Sequence, residues 1–571
     1  MAALKRIFFK QKNLAVSLGL VFFIGTALPV HAVLKGKVRV STNSSEWANE
    51  AGVSIATAKT STTTIVIDTT TKYQTINAFG GCFNEIGARA LKAVDTSLSN
   101  SVMKELFDTV TGCKFNICRM PIGASDFAVQ TSTLNRWYSL DDTVNDTDMK
   151  DINIRRDEIY LIPYIKSAMV YRPNLKIWAS PWSPPIWMKV NDAVGAEDLA
   201  NGDFIQSSTY LKAYALYLAK AVNLFQAAGI NLYGLSVQNE PYTDQAYPCC
   251  LWTAAQIRDF IKLYVGPTFV ADKVNCEIWS PTMNNGSFSE FNTWLGDTGS
   301  SKYITTVCFQ YQGEDAIAAV YAAYPNKTLY ETELECGSGT DDWTYAESTC
   351  FQQMQWYFDN DANGFMQWNM VLDQSGSSSW GWVQCAMITV DTTQKTVTFH
   401  PQHYCAKHFS YYVQPGARRI NTSGGTFTTQ VGFKNPDGSV VVVANNTATS
   451  ATSASVCLGT SIMNVSMPAH SFDTYIFYDS ATTAIQPSNS SAFANKTEKI
   501  KIIRTGNGIS IFPHGTSFNV QVVRLDGCVI AAKSSNSGSA LTIRSDKIAP
   551  GVYFIKGTID GLNYQERLPL Q

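Results

Sequence analysis

Between residues 73 and 410 the chain repeats one pattern, a short apolar run followed by a longer stretch in which apolar side chains recur at helix spacing. The runs fall at 75–83, 116–120, 176–180, 232–238, 274–280, 303–310, 328–332 and 364–369. The segment 210–228 shows the intervening type, with Leu211, Tyr214, Leu218, Val222 and Leu224 along one helix face. Eight strand-then-helix units predict an α/β fold, a (β/α)8 TIM barrel enlarged by insertions, since such barrels run from about 200 to over 400 residues. An open doubly wound sheet is the competing arrangement. It lacks support, because no Gly-rich dinucleotide fingerprint follows the first run.

The flanks have a different period. Residues 33–72 are rich in Thr, Ser and Val without helical spacing, and from 411 to 478 the chain alternates as strands do. A hairpin is expected where 427–433 and 439–444 flank Pro436-Asp437-Gly438. The two flanks together predict a side β-sandwich contributed from both ends of the barrel sequence. Residues 479–499, poor in apolar side chains, read as a linker. Residues 500–571, with turn signals at Leu525-Asp526-Gly527 and Ile559-Asp560-Gly561, read as a small separate C-terminal β-sandwich.

Composition narrows the function. The chain has 571 residues, with 44 Lys+Arg against 46 Asp+Glu and a net charge of −2. With 16% charged residues and no basic stripe, nothing attracts nucleic acid. Residues 1–32 have the form of a secretory signal peptide: Lys5, Arg6, Lys10 and Lys12, then an apolar run from Leu14 to Leu28, then Val30-His31-Ala32 as a small-residue cleavage site. That run is shorter than the ~20 residues of a spanning helix. The expectation is a secreted or cell-surface protein without stable membrane insertion. The 13 cysteines, an odd count, leave at least one thiol free or intermolecular, and we read all as structural.

Catalytic groups of a barrel sit at the carboxyl ends of its strands. Here those ends are polar: Glu85, Arg119, Ser180-Pro181-Trp182, Asn239-Glu240-Pro241, Gln310-Tyr311, Glu333 and Trp368-Asn369. Glu240 and Glu333 are 93 residues apart in sequence but at the ends of strands four and seven of one rim. Glycoside hydrolysis needs such a pair, one carboxyl to protonate the departing oxygen and one to attack the anomeric carbon or activate water. Arg119 is a suitable cation to keep one of them charged. A structural ion pair is the plainer reading for Glu85 and Arg119, and core packing for Trp182 and Trp368.

Five ordered motifs carry a resemblance. They are Phe79-Gly80-Gly81-Cys82-Phe83-Asn84-Glu85; Arg119-Met120-Pro121-Ile122-Gly123 with Ser125-Asp126-Phe127; Ala179-Ser180-Pro181-Trp182-Ser183-Pro184-Pro185-Ile186-Trp187-Met188-Lys189; Gln238-Asn239-Glu240-Pro241; and Thr332-Glu333-Leu334-Glu335-Cys336. With Trp368-Asn369 and Arg418-Arg419, the chain from about 70 to 480 resembles glycoside hydrolase family 30, the glucosylceramidase-like retaining β-glycosidases. The resemblance implies a barrel fused to a side sandwich, with no metal and no organic cofactor. It implies Glu240 as acid/base and Glu333 as nucleophile, the latter favoured over Glu331 and Glu335 by the small polar residue before it. It also implies that Asn239 bonds the substrate 2-hydroxyl, that Glu85, Trp182 and Trp368 line the subsite for the non-reducing sugar, and that Arg119 orients the nucleophile. Many members have Asp at Glu85 and a His-aromatic pair at Gln310-Tyr311, so both substrate-binding positions put the sugar, rather than the reaction, in question. Residues 500–571, especially Ala549 to Lys556 and Tyr564 to Leu568, resemble C-terminal sorting domains of type IX secretion, which would contact a secretion machinery or cell surface. A carbohydrate-binding sandwich is the alternative.

Other motifs carry less. His400, His403 and His408 lack the HExxH spacing and a flanking carboxylate, and are expected on a helix face packed on the barrel. Ser338 lacks a G-x-S-x-G frame. The sequence thus predicts a retaining β-glycosidase acting on a β-linked glucan, xylan or β-glucoside. A barrel that binds carbohydrate without cleaving it is the alternative, as is exo- rather than endo-action among enzymes.

Overall fold

The computed structural model describes residues 34–195, 202–338 and 343–479, and the strands within 500–570. Residues 1–32, read as a signal peptide, and all of the linker read at 479–499 except Asp479, which ends a strand, lie outside the described residues. Two units separate between residues 484 and 485.

Eight strands, Ala78–Gly81, Ile117–Ile122, Lys176–Pro181, Leu232–Ser236, Glu277–Met283, Ile304–Gln310, Thr328–Glu333 and Gly364–Gln367, lie side by side in sequence order, all parallel. The ring closes between the first and second, where Asn116 N–H donates to Phe79 O and Phe83 N–H to Arg119 O, both at 2.9 Å. All eight apolar runs are therefore barrel strands. The fifth sits three residues later than its sequence pattern, because Val274 is taken up by a hydrogen bond to Phe269 O at the end of the preceding helix. Inside, Trp178, Trp279, Tyr330 and Met366 fill the lower barrel. Their bulk is matched by glycine opposite: a Cβ on Gly234 would lie 2.3 Å from the Trp279 ring. Large against small side chains fill a closed barrel without voids.

The helix read at 210–228 is Ser208–Ala227, capped by the Ser207 side chain, which accepts from Tyr210 N–H. Of the histidine cluster, His400 stands at the N-terminal cap position of the helix Pro401–Ser410, without a capping bond from its side chain, and the other two lie on the helix; all ten helix residues are buried. The His408 ring bonds Thr474 Oγ1 and Ser41 Oγ at 2.8 Å each, fixing barrel to sandwich.

The flanks form one ten-stranded sheet that folds over on itself. Leu34–Thr42 pairs antiparallel with Ser471–Asp479, so strands from the two flanks lie together. Thr64–Ile76 belongs to both layers: its start pairs parallel with Thr452–Leu458 and its end antiparallel with Ala417–Asn421. That strand runs four residues past the boundary read at 72. Ile65, Val442, Val456, Met463 and Tyr475 pack between the layers. The expected hairpin is Gln430–Lys434 with Val440–Asn446. In the second unit, the described residues within 500–570 form seven strands in two antiparallel sheets, and the turn signals at 525–527 and 559–561 fall at the junctions of paired strands. Among the described residues no helix is long and apolar enough to cross a membrane, and no disulfide joins the cysteines.

Candidate active site

Arg119 is fully buried in the second barrel strand, where its guanidinium faces three indoles: the rings of Trp182, Trp178 and Trp368 lie 4.3, 5.0 and 5.6 Å from Cζ. Its nitrogens are all directed. Nε donates to Ser180 Oγ at 3.0 Å, Nη1 to Glu333 Oε2, and Nη2 to Asn239 Oδ1. Glu333 also accepts from Gln310 Nε2 at 2.8 Å on Oε2 and from the Tyr311 hydroxyl at 3.2 Å on Oε1. A cation and two neutral donors thus converge on one carboxylate.

The neighbouring glutamates are otherwise engaged. Glu331 accepts Glu333 N–H and Met366 N–H, one on each oxygen, and Glu335 accepts from Gln384 Nε2. Only Glu333 of the three meets Arg119.

Glu240 lies in a contrasting environment. It is 8% exposed, and among the described residues its one hydrogen-bonding side chain is Tyr247, whose hydroxyl is 3.5 Å from Oε2. Burial first, and then the charge of Glu333, push its carboxyl up to about 8. Asn239 Oδ1 accepts from Arg119, from Thr282 Oγ1 at 2.8 Å and from Gln310 Nε2 at 3.4 Å, which leaves its Nδ2 as the end available to a ligand. Glu240, Tyr311 and Asn369, near the ends of strands four, six and eight, all have left-handed backbone, with φ of +41°, +45° and +61°. Backbone held there by non-glycine residues costs of order 1–3 kcal/mol each and concentrates at functional sites.

Trp182 and Trp368 lie 5.4 Å apart, centroid to centroid, and are 2% and 1% exposed. Glu85 is placed differently from the other expected site residues. Its Oε1 accepts from Arg156 Nε at 2.8 Å, and its Oε2 from Arg156 Nη2 and Val129 N–H at 2.7 Å. It is a buried ion pair, with Arg156 rather than Arg119. Three residues were not singled out from sequence. Asp126, two residues beyond Ala124 after strand two, is 6% exposed with its Oδ1 unpartnered, and burial with the nearby Glu333 charge raises its carboxyl well above the usual range. An orphaned buried oxygen beside Glu333 is suited to a sugar hydroxyl. Its place in Ser125-Asp126-Phe127 was the available signal. Thr282 was hidden by the displaced fifth strand, and Tyr247 lies in a loop without periodicity.

The histidine cluster does gain a carboxylate: Glu105, Cys113 and His403 place ligand atoms within 4.8 Å of one another. Lys407 Nζ already donates to that Glu105 oxygen, which gives the carboxylate a cation from the chain itself. Within the barrel mouth, a carboxylate held by donors and a buried, proton-retaining carboxyl are the two groups that acid-assisted displacement at an acetal carbon requires.

Residues 76–413 match the glycosyl hydrolase family 30 TIM-barrel domain, and residues 416–475 the family 30 beta sandwich domain. Putative glucosylceramidase 1 of Caenorhabditis elegans is 30% identical over 406 residues, 67% of this chain and 76% of that protein. Endo-1,6-beta-D-glucanase BGN16.3 of Trichoderma harzianum is 27% identical over 403 residues, 66% of this chain and 79% of that protein. The crystal structure of SrfJ from Salmonella typhimurium superposes with a TM-score of 0.70 at 25% identity, covering 77% of this chain and 99% of that one. With family matches over both barrel and sandwich, this chain belongs to glycoside hydrolase family 30 and is a retaining β-glycosidase.

Proposed function

We propose that the protein hydrolyses β-linked glucosyl units by double displacement, with Glu333 as nucleophile and Glu240 as acid/base. The observation that carries this reading is the contrast between the two carboxyls: Glu333 accepts from Arg119, Gln310 and Tyr311, while Glu240 is buried with its carboxyl raised to about 8. In the first step a Glu333 oxygen attacks the anomeric carbon, the glycosidic C–O bond breaks, and the Glu240 proton passes to the departing oxygen. In the second, Glu240, now a carboxylate, takes a proton from water as the water oxygen displaces Glu333. Asn239 Nδ2 would donate to the 2-hydroxyl and Asp126 Oδ1 would meet another hydroxyl of the same sugar, bonds that help most if they tighten in the transition state.

The names of the relatives, glucosylceramidase and endo-1,6-β-glucanase, support a glucosyl substrate over a xylan. The test is hydrolysis of aryl β-glucoside, β-1,6-glucan, β-1,3-glucan and glucuronoxylan, with the first-formed anomer read by NMR and Glu333→Gln as control. We expect β-anomer from a glucoside or glucan and a loss of about 10⁴-fold or more in the variant. Unchanged turnover in Glu333→Gln would sink the assignment of the nucleophile, and binding without cleavage would favour a non-catalytic protein. We infer further that the chain is exported, with residues 1–32 as a cleaved leader and 500–571 as a sorting or surface-attachment unit. Mass spectrometry of the protein from culture medium is expected to find an N-terminus at residue 33.

A further inference from the structure

Tyr247 and Trp382 meet across the barrel mouth. Tyr247 is on the segment after the fourth strand and Trp382 on the segment after the eighth, positions diametrically opposed in an eight-stranded ring. Their ring centroids are 4.8 Å apart at 55°, and the Tyr247 hydroxyl reaches Glu240 on the same side. Trp382 sits in a tight hairpin, with Ser378 N–H donating to Trp382 O at 2.8 Å and Gln384 N–H to Gly376 O at 2.9 Å.

The same hairpin is fastened to the segment after the second strand. Ser379 N–H donates to Asp126 O at 3.3 Å, Ser379 Oγ donates to Ala128 O, and Arg136 Nη1 donates to Ser379 O at 2.6 Å. Arg136 also lies 3.9 Å over the Trp380 ring. Behind this fastening are Asp126 with its unpartnered Oδ1, Trp182 and Trp368, all nearly inaccessible.

We propose that the hairpin around Trp380 and Trp382 makes the glycone end of the site blind, so that the enzyme removes single sugars from the non-reducing end of a β-glucoside or β-glucan chain. The inference rests on the catalytic reading above. The reacting sugar belongs with Glu333, Arg119 and Asp126, and the leaving group with the proton of Glu240. A further sugar beyond the reacting one would have to pass between Ser379 and the backbone of Asp126 and Ala128. Ser379 is hydrogen-bonded to both, through its N–H to Asp126 O and through its hydroxyl to Ala128 O, which leaves no passage for a chain.

The experiment uses the full chain on a linear β-gluco-oligosaccharide of a linkage that it cleaves, labelled at the reducing end and offered with the non-reducing terminus free or blocked by a cyclic ketal. Stepwise release of glucose from the free substrate, with the blocked one cleaved at least 100-fold more slowly, is the expected result. Mixed-length products from the start, or comparable cleavage of the blocked substrate, would overturn the blind end while leaving the carboxylate assignment intact. Inactivity on every glucoside, the aryl glucoside included, would overturn the catalytic reading and this inference with it. Arg136→Ala and Trp382→Gly unfasten the hairpin, and each is expected to raise the blocked-to-free rate ratio at least tenfold. An unchanged ratio in both would show that the hairpin is not the wall.

Discussion

Arg119 binds at once to the candidate nucleophile, to the asparagine beside the candidate acid and to Ser180, while its plane lies against indoles. Lysine would keep the charge but not the fork or the stacking surface. We expect Arg119→Lys to lower kcat by about 10²–10³-fold with a smaller change in KM, because the loss falls on alignment of the nucleophile; a change confined to KM in steady-state kinetics would contradict that role. The raised carboxyl of Glu240 sets the alkaline side of the rate profile: activity should fall as pH rises through about 8. The sign for stability is the same. Below its ordinary value of 4.5 the group is protonated folded or unfolded; between 4.5 and about 8 only the folded state holds the proton, so stability is progressively lost as pH rises. Glu240→Gln removes that dependence. Its thermal midpoint is expected to exceed the parent's by about 2 °C or more at pH 8 and to match it near pH 4.5, measured by scanning calorimetry.

The barrel strands were legible in the sequence because parallel strands buried on both faces read as unbroken apolar runs, and most of them end in a polar residue of the site. Glu240, Glu333, Arg119 and Asn239 could be found in this way. The loop contributions could not. Arg156 reaches Glu85 from 71 positions away, and Trp382 reaches Tyr247 from a segment with no period, so neither contact leaves a trace in local pattern. Strand contacts also fix residues that look replaceable. A Cβ on Gly80 would fall 1.7 Å from Ile117 O, at the seam where the ring closes. Backbone cannot yield there without opening the first and second strands. Gly80→Ala is therefore expected to leave little or no soluble folded protein, whereas Gly52→Ala, where a Cβ meets nothing within 4 Å, should express and melt like the parent.

At the scale of the whole molecule, the barrel and its side sheet form one unit and residues 485–571 another. Ending the chain at residue 484 is expected to leave kcat/KM on aryl β-glucoside within about twofold of the full protein; a large loss of activity would show that the second unit supports the first. The side sheet is another matter. Leu34–Thr42 lies against Ser471–Asp479, register Leu34 to Asp479, so this strand leaves the ribosome roughly 430 residues ahead of its partner. At about 5–20 residues per second that is a wait on the order of a minute. Ala51–Val53 covers one edge of it soon after synthesis, but the other edge, left open for that long, is exposed to pairing with the wrong chain, and Lys35, Lys37 and Arg39 spaced along it are the kind of charges that discourage such encounters. The first strand of the sheet to be made thus keeps one edge open until the last is finished, and on that edge the order of synthesis runs opposite to the order of completion.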